Sequence, residues 1–444
     1  MTQLRVEDIW PLSPLQEGLL FHALYDDVGD DVYTVQQVLD LEGMVNAEVL
    51  RASWEALLVR HASLRAGFRR PDKTQQWVQV VVKGVTLPWQ EADLSHLAPD
   101  EAVAGAERLA EEERGRRFDV AKPPLLRLLL ARLGADRYRL VITMHHIVMD
   151  GWSMPVMMRE WKALYAAGGR AGGLPPVTPY REYLAWLQRQ DKEAAREAWR
   201  QALAGVDEPT LVAPAEGDPA PVMPGGVRVH AGERLAEALR AMARGQGLTL
   251  NTVVQGAWAL LLAKLTGRRD VVFGATVSGR PGELPGVEDM LGLFINTVPV
   301  RVSLDPAQSV GDLLREVQDQ QSALLEHQHL GLAEIQRIVG PGANFDTLMA
   351  YENFPGDPTG ARIALGDSLT VAPVASVSTT HYPLTLVAVP VDGLELRLDY
   401  RPDLFDEVTA RVLVGRLVRV LEQVAVDPGV LLSGVDVLGG DERR

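Results

Sequence analysis

The most informative stretch for chemistry is His145-His146-Ile147-Val148-Met149-Asp150-Gly151-Trp152-Ser153. Two imidazoles, a carboxylate and a glycine follow an apolar run, Leu140–Met144, and precede a helical pattern. Three chemistries compete for them. They can be polar groups satisfied at a strand end. They can be a His-His-Asp metal site, although adjacent residues of an extended segment point to opposite faces, which sets His145 and His146 against ligating one ion. Or they can do acid–base work, one imidazole facing a substrate while the other residues hold the loop in shape. Gly151 permits a backbone shape or a close approach that a Cβ would block.

The elements that position this stretch alternate. A strand pattern covers Val32–Leu41, and Asn46 caps a helix over Ala47–Arg60 with Val49, Leu50, Trp54, Leu57 and Leu58 on one face. Strands follow at Trp77–Val82, Leu125–Leu133 and Tyr138–Met144, with a charged helix at Glu101–Arg116 between the first two. The helix Ser153–Ala167 turns Met154, Met157, Met158 and Trp161 inward. Further on, helices fit Glu193–Ala204, Leu235–Arg244, Asn251–Leu265, Val310–Glu326 and Asp406–Val426. Strands fit Val271–Val277, Asn296–Val302, Leu348–Glu352, Leu384–Val389 and Leu394–Tyr400. Such interleaving predicts an α/β (α+β) fold with mixed sheets. Of two Gly- and Pro-rich breaks, Gly168–Pro179 reads as the boundary between two lobes, 1–175 and 176–444. The other, Gly205–Gly226, reads as a surface loop. A cleft between two lobes is a usual place for a ligand.

Composition narrows the function. The 444 residues include no cysteine, which excludes disulfides, a thiol nucleophile, Cys-ligated zinc and iron–sulfur clusters. Apolar residues at 47% and charged residues at 23% are globular values. The net charge of −15 argues against nucleic acid or an anionic membrane as partner. The N-terminus has no signal-peptide pattern and no apolar run is long enough to span a bilayer, so a cytoplasmic location is expected. Neither a P-loop nor a GxSxG elbow occurs. His327 and His329 form an HxH without an evident third ligand and read as a polar helix end. His22, His61, His96 and His230 read as packing or surface residues.

His145–Gly151 resembles the HHxxxDG motif of condensation domains of nonribosomal peptide synthetases, members of the chloramphenicol-acetyltransferase-like acyltransferases. Other segments agree in order. Pro11–Leu24 resembles the opening motif. Arg60–Phe68 (RHASLRAGF) is similar to RHExLRTxF, with Ala62 in place of Glu and Ala66 in place of Thr. Tyr180–Trp186 (YREYLAW), Val277–Pro281 (VSGRP), Leu291–Arg301 (LGLFINTVPVR), His327-Gln328 and Tyr351–Pro355 (YENFP) resemble the later motifs. The absence of an EGHGR string favours a condensation domain over the alternative of an epimerisation domain, and the intact HHxxxDG favours it over the alternative of a silent domain that recruits a carrier or tailoring enzyme.

The resemblance implies two acetyltransferase-like lobes in a V-shaped pseudo-dimer with a tunnel between them. It implies peptide-bond formation between a donor acyl thioester and the amine of an acceptor aminoacyl thioester. Both are borne on 4′-phosphopantetheine arms of carrier domains, with an adenylation domain as neighbour; no cofactor or metal is implied for the chain itself. The product would be a peptide of the antibiotic or siderophore kind. Carried over by position, the catalytic group is His146 with His145, Asp150 and Gly151. Asp150 pairs with Arg280 from the other lobe, Gly151 offers its N–H to the oxyanion or permits the turn, and Trp152, Ser153, Asn353 and His381 belong to the tunnel. Ser153 is also read as a helix N-cap and Trp152 as packing. The opening motif and HHIVMDGWSMPV resemble domains that take an L-configured donor.

Overall fold

The computed structural model describes residues 5–25, 31–72, 75–213, 222–354, 362–365, 369–391 and 393–438. In chain order the first half forms β1 (Arg5–Trp10), α1 (Pro14–Tyr25), β2 (Thr34–Gly43), α2 (Ala47–Arg60), β3 (Ala66–Arg69), β4 (Val78–Lys83) and β5 (Trp89–Asp93). It continues with α3 (Pro99–Gly115), β6 (Leu126–Arg132), β7 (Arg137–His145), α4 (Ser153–Ala166) and α5 (Tyr180–Arg189). The second half forms α6 (Lys192–Ala202), β8 (Gly225–His230), α7 (Glu233–Gln246), α8 (Leu250–Thr266), β9 (Asp270–Val277) and β10 (Asn296–Ser303). Then come α9 (Val310–Leu324), α10 (Leu332–Val339), β11 (Thr347–Tyr351), β12 (Ile363–Leu365), β13 (Leu369–Val377), β14 (Leu384–Val389), β15 (Glu395–Tyr400) and α11 (Glu407–Val426).

These elements gather into two compact units. Unit 1 runs to Arg189 and adds Arg280–Ile295 and Phe354–Thr379; unit 2 takes Gln190–Gly279, Asn296–Asn353 and the chain from Thr380 on. The division differs from the expected one at 175/176, and for a packing reason. Helix α5 buries Tyr180, Tyr183, Leu184 and Leu187 with Trp10, Met290 and Phe294, so the chain leaves unit 1 only after that helix. The VSGRP and LGLFINTVPVR motifs, expected in a C-terminal lobe, are each divided: Arg280, Pro281 and Leu291–Ile295 belong to unit 1.

In unit 1 a six-stranded sheet has the order β12-β13-β2-β7-β6-β5. Strand β7 lies antiparallel between β2 and β6, and Leu140–His145 is buried throughout, as expected of a continuous apolar run within a sheet covered on both faces. The ladder with β2 ends on His145, opposite Thr34. Helices α2 and α4 pack through Trp54 and Trp161, whose ring centroids are 5.4 Å apart. Asn46 does cap α2, its side chain accepting the Val49 N–H. Strand β13 escapes the sequence pattern because Pro373 interrupts it; the chain tolerates the proline at a bulge between Pro373 and Ala375.

In unit 2 the sheet order is β10-β9-β11-β14-β15-β8, with β11 parallel to both neighbours. One core joins α7, α8, α9 and α11 to this sheet. Helix α8 is buried almost all round, which explains its uniformly apolar sequence. No single helix among the described residues is long and apolar enough to cross a membrane. Of the expected loop Gly205–Gly226, residues 214–221 lie outside the described ones, and Gly225 already starts β8.

Candidate functional site

Where β7 ends, the chain turns sharply, and the His146 N–H and the backbone groups of Ile147 find partners outside the turn. The His146 N–H continues toward β2 and donates to the Tyr33 carbonyl at 2.9 Å. Residues His146–Val148 form one 3-10 turn, with the Met149 N–H returning to the His146 carbonyl at 3.2 Å. The peptide groups of Ile147 are taken by side chains: His145 Nδ1 accepts its N–H at 3.1 Å, and Gln16 Nε2 donates to its carbonyl at 3.0 Å. Since Nδ1 is an acceptor, the His145 proton sits on Nε2, which lies 3.4 Å from Asp31 Oδ2. Burial raises the Asp31 carboxyl, but His145 and the Tyr33 N–H outweigh it and hold the group below the usual carboxylate range. His145, fully buried and edge-on to Phe118, is thus a structural member of the turn.

His146 differs from it. The residue keeps part of its surface accessible, and its Nδ1 is buried without a hydrogen-bond partner. Burial pushes its imidazole below the usual value, against a weaker upward pull from its own carbonyl and from Asp150. The ring is therefore neutral at neutral pH, with a nitrogen lone pair to offer.

Asp150 is saturated. Its Oδ1 accepts from the Ser153 N–H at 3.0 Å, the Ser153 hydroxyl at 2.8 Å and Arg280 Nη2 at 3.3 Å. Its Oδ2 accepts the N–H groups of Phe294 at 2.9 Å and Ile295 at 3.3 Å. Arg280 also donates to Ser153 Oγ at 3.0 Å and to the carbonyls of Val287 and Met290, and its guanidinium lies over the Phe294 ring at 3.8 Å. Burial lowers the guanidinium from its usual range in spite of Asp150, yet it starts high enough to stay charged. The expected Asp150–Arg280 pair is therefore present and buried, but both partners lie in unit 1 rather than in different lobes. Ser153 is not an N-cap: Trp152 holds that position without a capping bond, and Asp150 receives the Ser153 N–H instead. The Ser153 hydroxyl is fully buried, 2.9 Å from the Gly292 carbonyl and 3.1 Å from the Gly292 N–H, so it belongs to this polar knot.

Sequence reasoning singled out neither Gln16 nor the residues that hold segment 291–295. That segment has no strand partner for its carbonyls, and side chains supply the donors. Ser63 Oγ donates to Leu291 at 2.7 Å, Tyr180 to Leu293 at 2.6 Å and Tyr183 to Phe294 at 3.2 Å. Burial keeps both phenols well above their usual range, so they remain donors at any physiological pH. A Cβ on Gly292 would lie 2.3 Å from the Tyr180 ring, so only glycine fits there. The motifs RHASLRAGF, YREYLAW and LGLFINTVPVR were visible as motifs; which of their atoms meet was not.

Gly151 faces Phe354, whose Cζ would be 2.6 Å from an added Cβ, and no acceptor among the described residues takes the Gly151 N–H. Trp152 stands edge-on to the same ring at 6.4 Å. The YENFP motif thus reaches this turn through Phe354. Asn353, the expected residue, is exposed and belongs to unit 2. His381 also belongs to unit 2, with its ring centroid 4.2 Å from that of Tyr382. His61 is buried with its Nε2 in hydrogen-bond contact with Glu160 at 2.6 Å, and Arg60 Nε forms an ion pair with the same carboxylate at 2.8 Å. Among the described residues no group of three or more His, Asp or Glu side chains is placed to hold a metal.

Solved structures share this mixed α/β architecture. The X-domain from teicoplanin biosynthesis superposes with a TM-score of 0.81 at 26% identity, over 98% of this chain and 99% of its own. The first condensation domain of the CDA synthetase superposes with a TM-score of 0.78 at 22% identity, over 98% of this chain and 100% of its own. The condensation-domain family model matches residues 6–444, and the chain belongs to that family. A linear gramicidin synthase of Brevibacillus parabrevis is 38% identical over 449 residues, which is 99% of this chain and 8% of the relative. Bacitracin synthase 3 of Bacillus licheniformis is 31% identical, over 99% of this chain and 7% of the relative. The chain therefore spans less than a tenth of these curated relatives.

Proposed function

We propose that the chain forms a peptide bond between two thioester-bound substrates, both carried on phosphopantetheine arms of partner carrier domains. A neighbouring adenylation domain loads the acceptor carrier, and the chain holds no cofactor of its own. The acceptor amine attacks the donor thioester carbonyl; a C–N bond forms, the C–S bond breaks, and the sulfur leaves as thiolate. An α-amine has a reference pKa of about 7.7–8.0 and a cysteine-like thiol about 8.5, so neither nucleophile nor leaving group needs strong acid–base help. What remains is positioning, to which roughly 7–11 kcal/mol can be due, and acceptance of one proton from the ammonium-like intermediate. His146 orients the amine and takes that proton, which passes on to the thiolate. The Gly151 N–H is the donor available to the oxyanion. Asp150, Arg280 and His145 hold the turn and transfer no proton.

The observation that carries this reading is the contrast between two neighbouring imidazoles: His145 is fully buried and accepts the Ile147 N–H, while the neutral His146 ring keeps part of its surface accessible. The test is incubation with loaded donor and acceptor carriers and mass spectrometry for the dipeptidyl carrier. Full turnover by His146→Ala would refute the role given to it. One competing reading has its own support. It is a silent domain that recruits a partner protein: the X-domain solved in complex with OxyB from teicoplanin biosynthesis is 25% identical to this chain with a TM-score of 0.80. Carrier binding without product would establish that reading instead. Faster use of an L- than of a D-terminated donor is expected in the same assay.

A further inference from the structure

Gln16 lies far from His146 in sequence and is not needed for the chemistry, yet it is buried against the turn that carries His146. Its Nε2 donates to the Ile147 carbonyl at 3.0 Å and to Gln79 Oε1 at 3.1 Å. Its Oε1 accepts the Ser13 N–H at 2.8 Å, which fixes the amide orientation. Gln79 in turn donates to the Pro11 carbonyl at 2.7 Å, so the start of α1 is anchored to β4. Gln16 and Gln79 are each 1% exposed, and water cannot replace the missing donor without entering the core. On its other side the Ile147 peptide is held by His145 Nδ1. The residue directly after His146 thus has both backbone groups gripped by side chains. A 3-10 turn of three residues has almost no hydrogen bonds of its own with which to hold this shape.

We propose that Gln16 is a positioning residue for His146: its carboxamide draws the Ile147 carbonyl toward α1 and so sets the direction in which the imidazole faces the reacting amine. This rests on the role given to His146 above. A side chain acting only through such a clamp changes the rate of the bound complex and leaves carrier recognition alone. Misplacement by about 1 Å can cost about 100-fold in rate.

The experiment compares Gln16→Met, which keeps the side-chain length and loses the donor, with Gln79→Leu. The second variant orphans the Pro11 carbonyl and removes one acceptor of Gln16 Nε2, perturbing the same buried region, but keeps the Gln16 side chain with its Ile147 and Ser13 partners. Expected for Gln16→Met is a fall in kcat of about 10–100-fold, with KM for both loaded carriers within about twofold. Gln79→Leu is expected to lower thermal stability similarly and to keep kcat. Equal loss of kcat in the two variants, or an unchanged kcat in Gln16→Met, overturns the inference. If the unmodified chain makes no dipeptide, it is the functional reading that fails. The NMR signals of the His146 ring then decide this one: a shift or broadening in Gln16→Met alone supports the clamp, and no change, or the same change in both variants, overturns it. Should Gln16→Met not fold, Gln16→Glu is read against the same criteria.

Discussion

Asp150→Asn is the substitution that tests the site most directly, because the environment of Asp150 leaves an amide nowhere to go. Oδ1 faces the Ser153 N–H, the Ser153 hydroxyl and Arg280; Oδ2 faces the N–H groups of Phe294 and Ile295. Either orientation of asparagine points an NH2 at two or more donors. Hydrogen bonds to a charged group are worth about 1.5–3 kcal/mol each, and removing one partner of a buried pair costs about 3–5 kcal/mol. These overlap rather than add, so the expected loss in stability is about 3–5 kcal/mol. Arg280→Met removes the other charge while filling similar volume. In the double variant neither charge is stranded, and the coupling between the two sites is expected at about 2–3 kcal/mol. Urea unfolding of the four proteins measures this, and the coupling is expected to survive about 0.5 M salt, because the pair is shielded from solvent and screening acts mainly on exposed charges. The side chains are 3% and 0% exposed. A loss within about 0.5 kcal/mol for Asp150→Asn, or a coupling that vanishes in salt, would refute the buried, donor-saturated site.

Three further outcomes are expected. Because burial lowers the His146 imidazole below 6.5 and the neutral ring is the active form, the acid limb of the rate–pH profile should have its midpoint below 6.5; a midpoint above it contradicts the assignment. Gly292→Ala drives a methyl into the Tyr180 ring and should cost about 1–3 kcal/mol or more, with partial recovery on adding Tyr180→Leu, both read by thermal unfolding. Burial raises the Glu160 carboxyl, but bonds to His61 and Arg60 bring it net below 4.5. The stability it confers over Glu160→Gln is therefore present above pH 4.5 and is lost as pH falls through its lowered folded value, so the two denaturation curves should converge in acid.

What the sequence disclosed follows from which forces act locally. Periodicity located the long helices and buried strands, since burial on one face or both is written into consecutive residues. It could not reveal β13, where a proline masks a strand held by pairing with β2, nor the boundary at Arg189, which depends on what α5 covers. The site divides the same way. His146, Asp150, Gly151 and Arg280 stood out because resemblance attaches meaning to residue types in order. Gln16, Ser63, Tyr180, Tyr183 and Phe354 did not, because their role is to meet backbone groups brought near only by folding. The carbonyls of Ile147, Leu291, Leu293 and Phe294 belong to residues whose side chains are apolar, so nothing at those positions announces a need for donors. A buried irregular segment must nevertheless have its peptide groups satisfied. That requirement ties the separate motifs to one another in the fold: each supplies a donor for backbone that another motif leaves bare. It also separates the two histidines. His145, whose Nδ1 takes a peptide N–H, is fully buried and committed to holding the turn, and His146, which keeps part of its surface accessible, is the one open to a substrate.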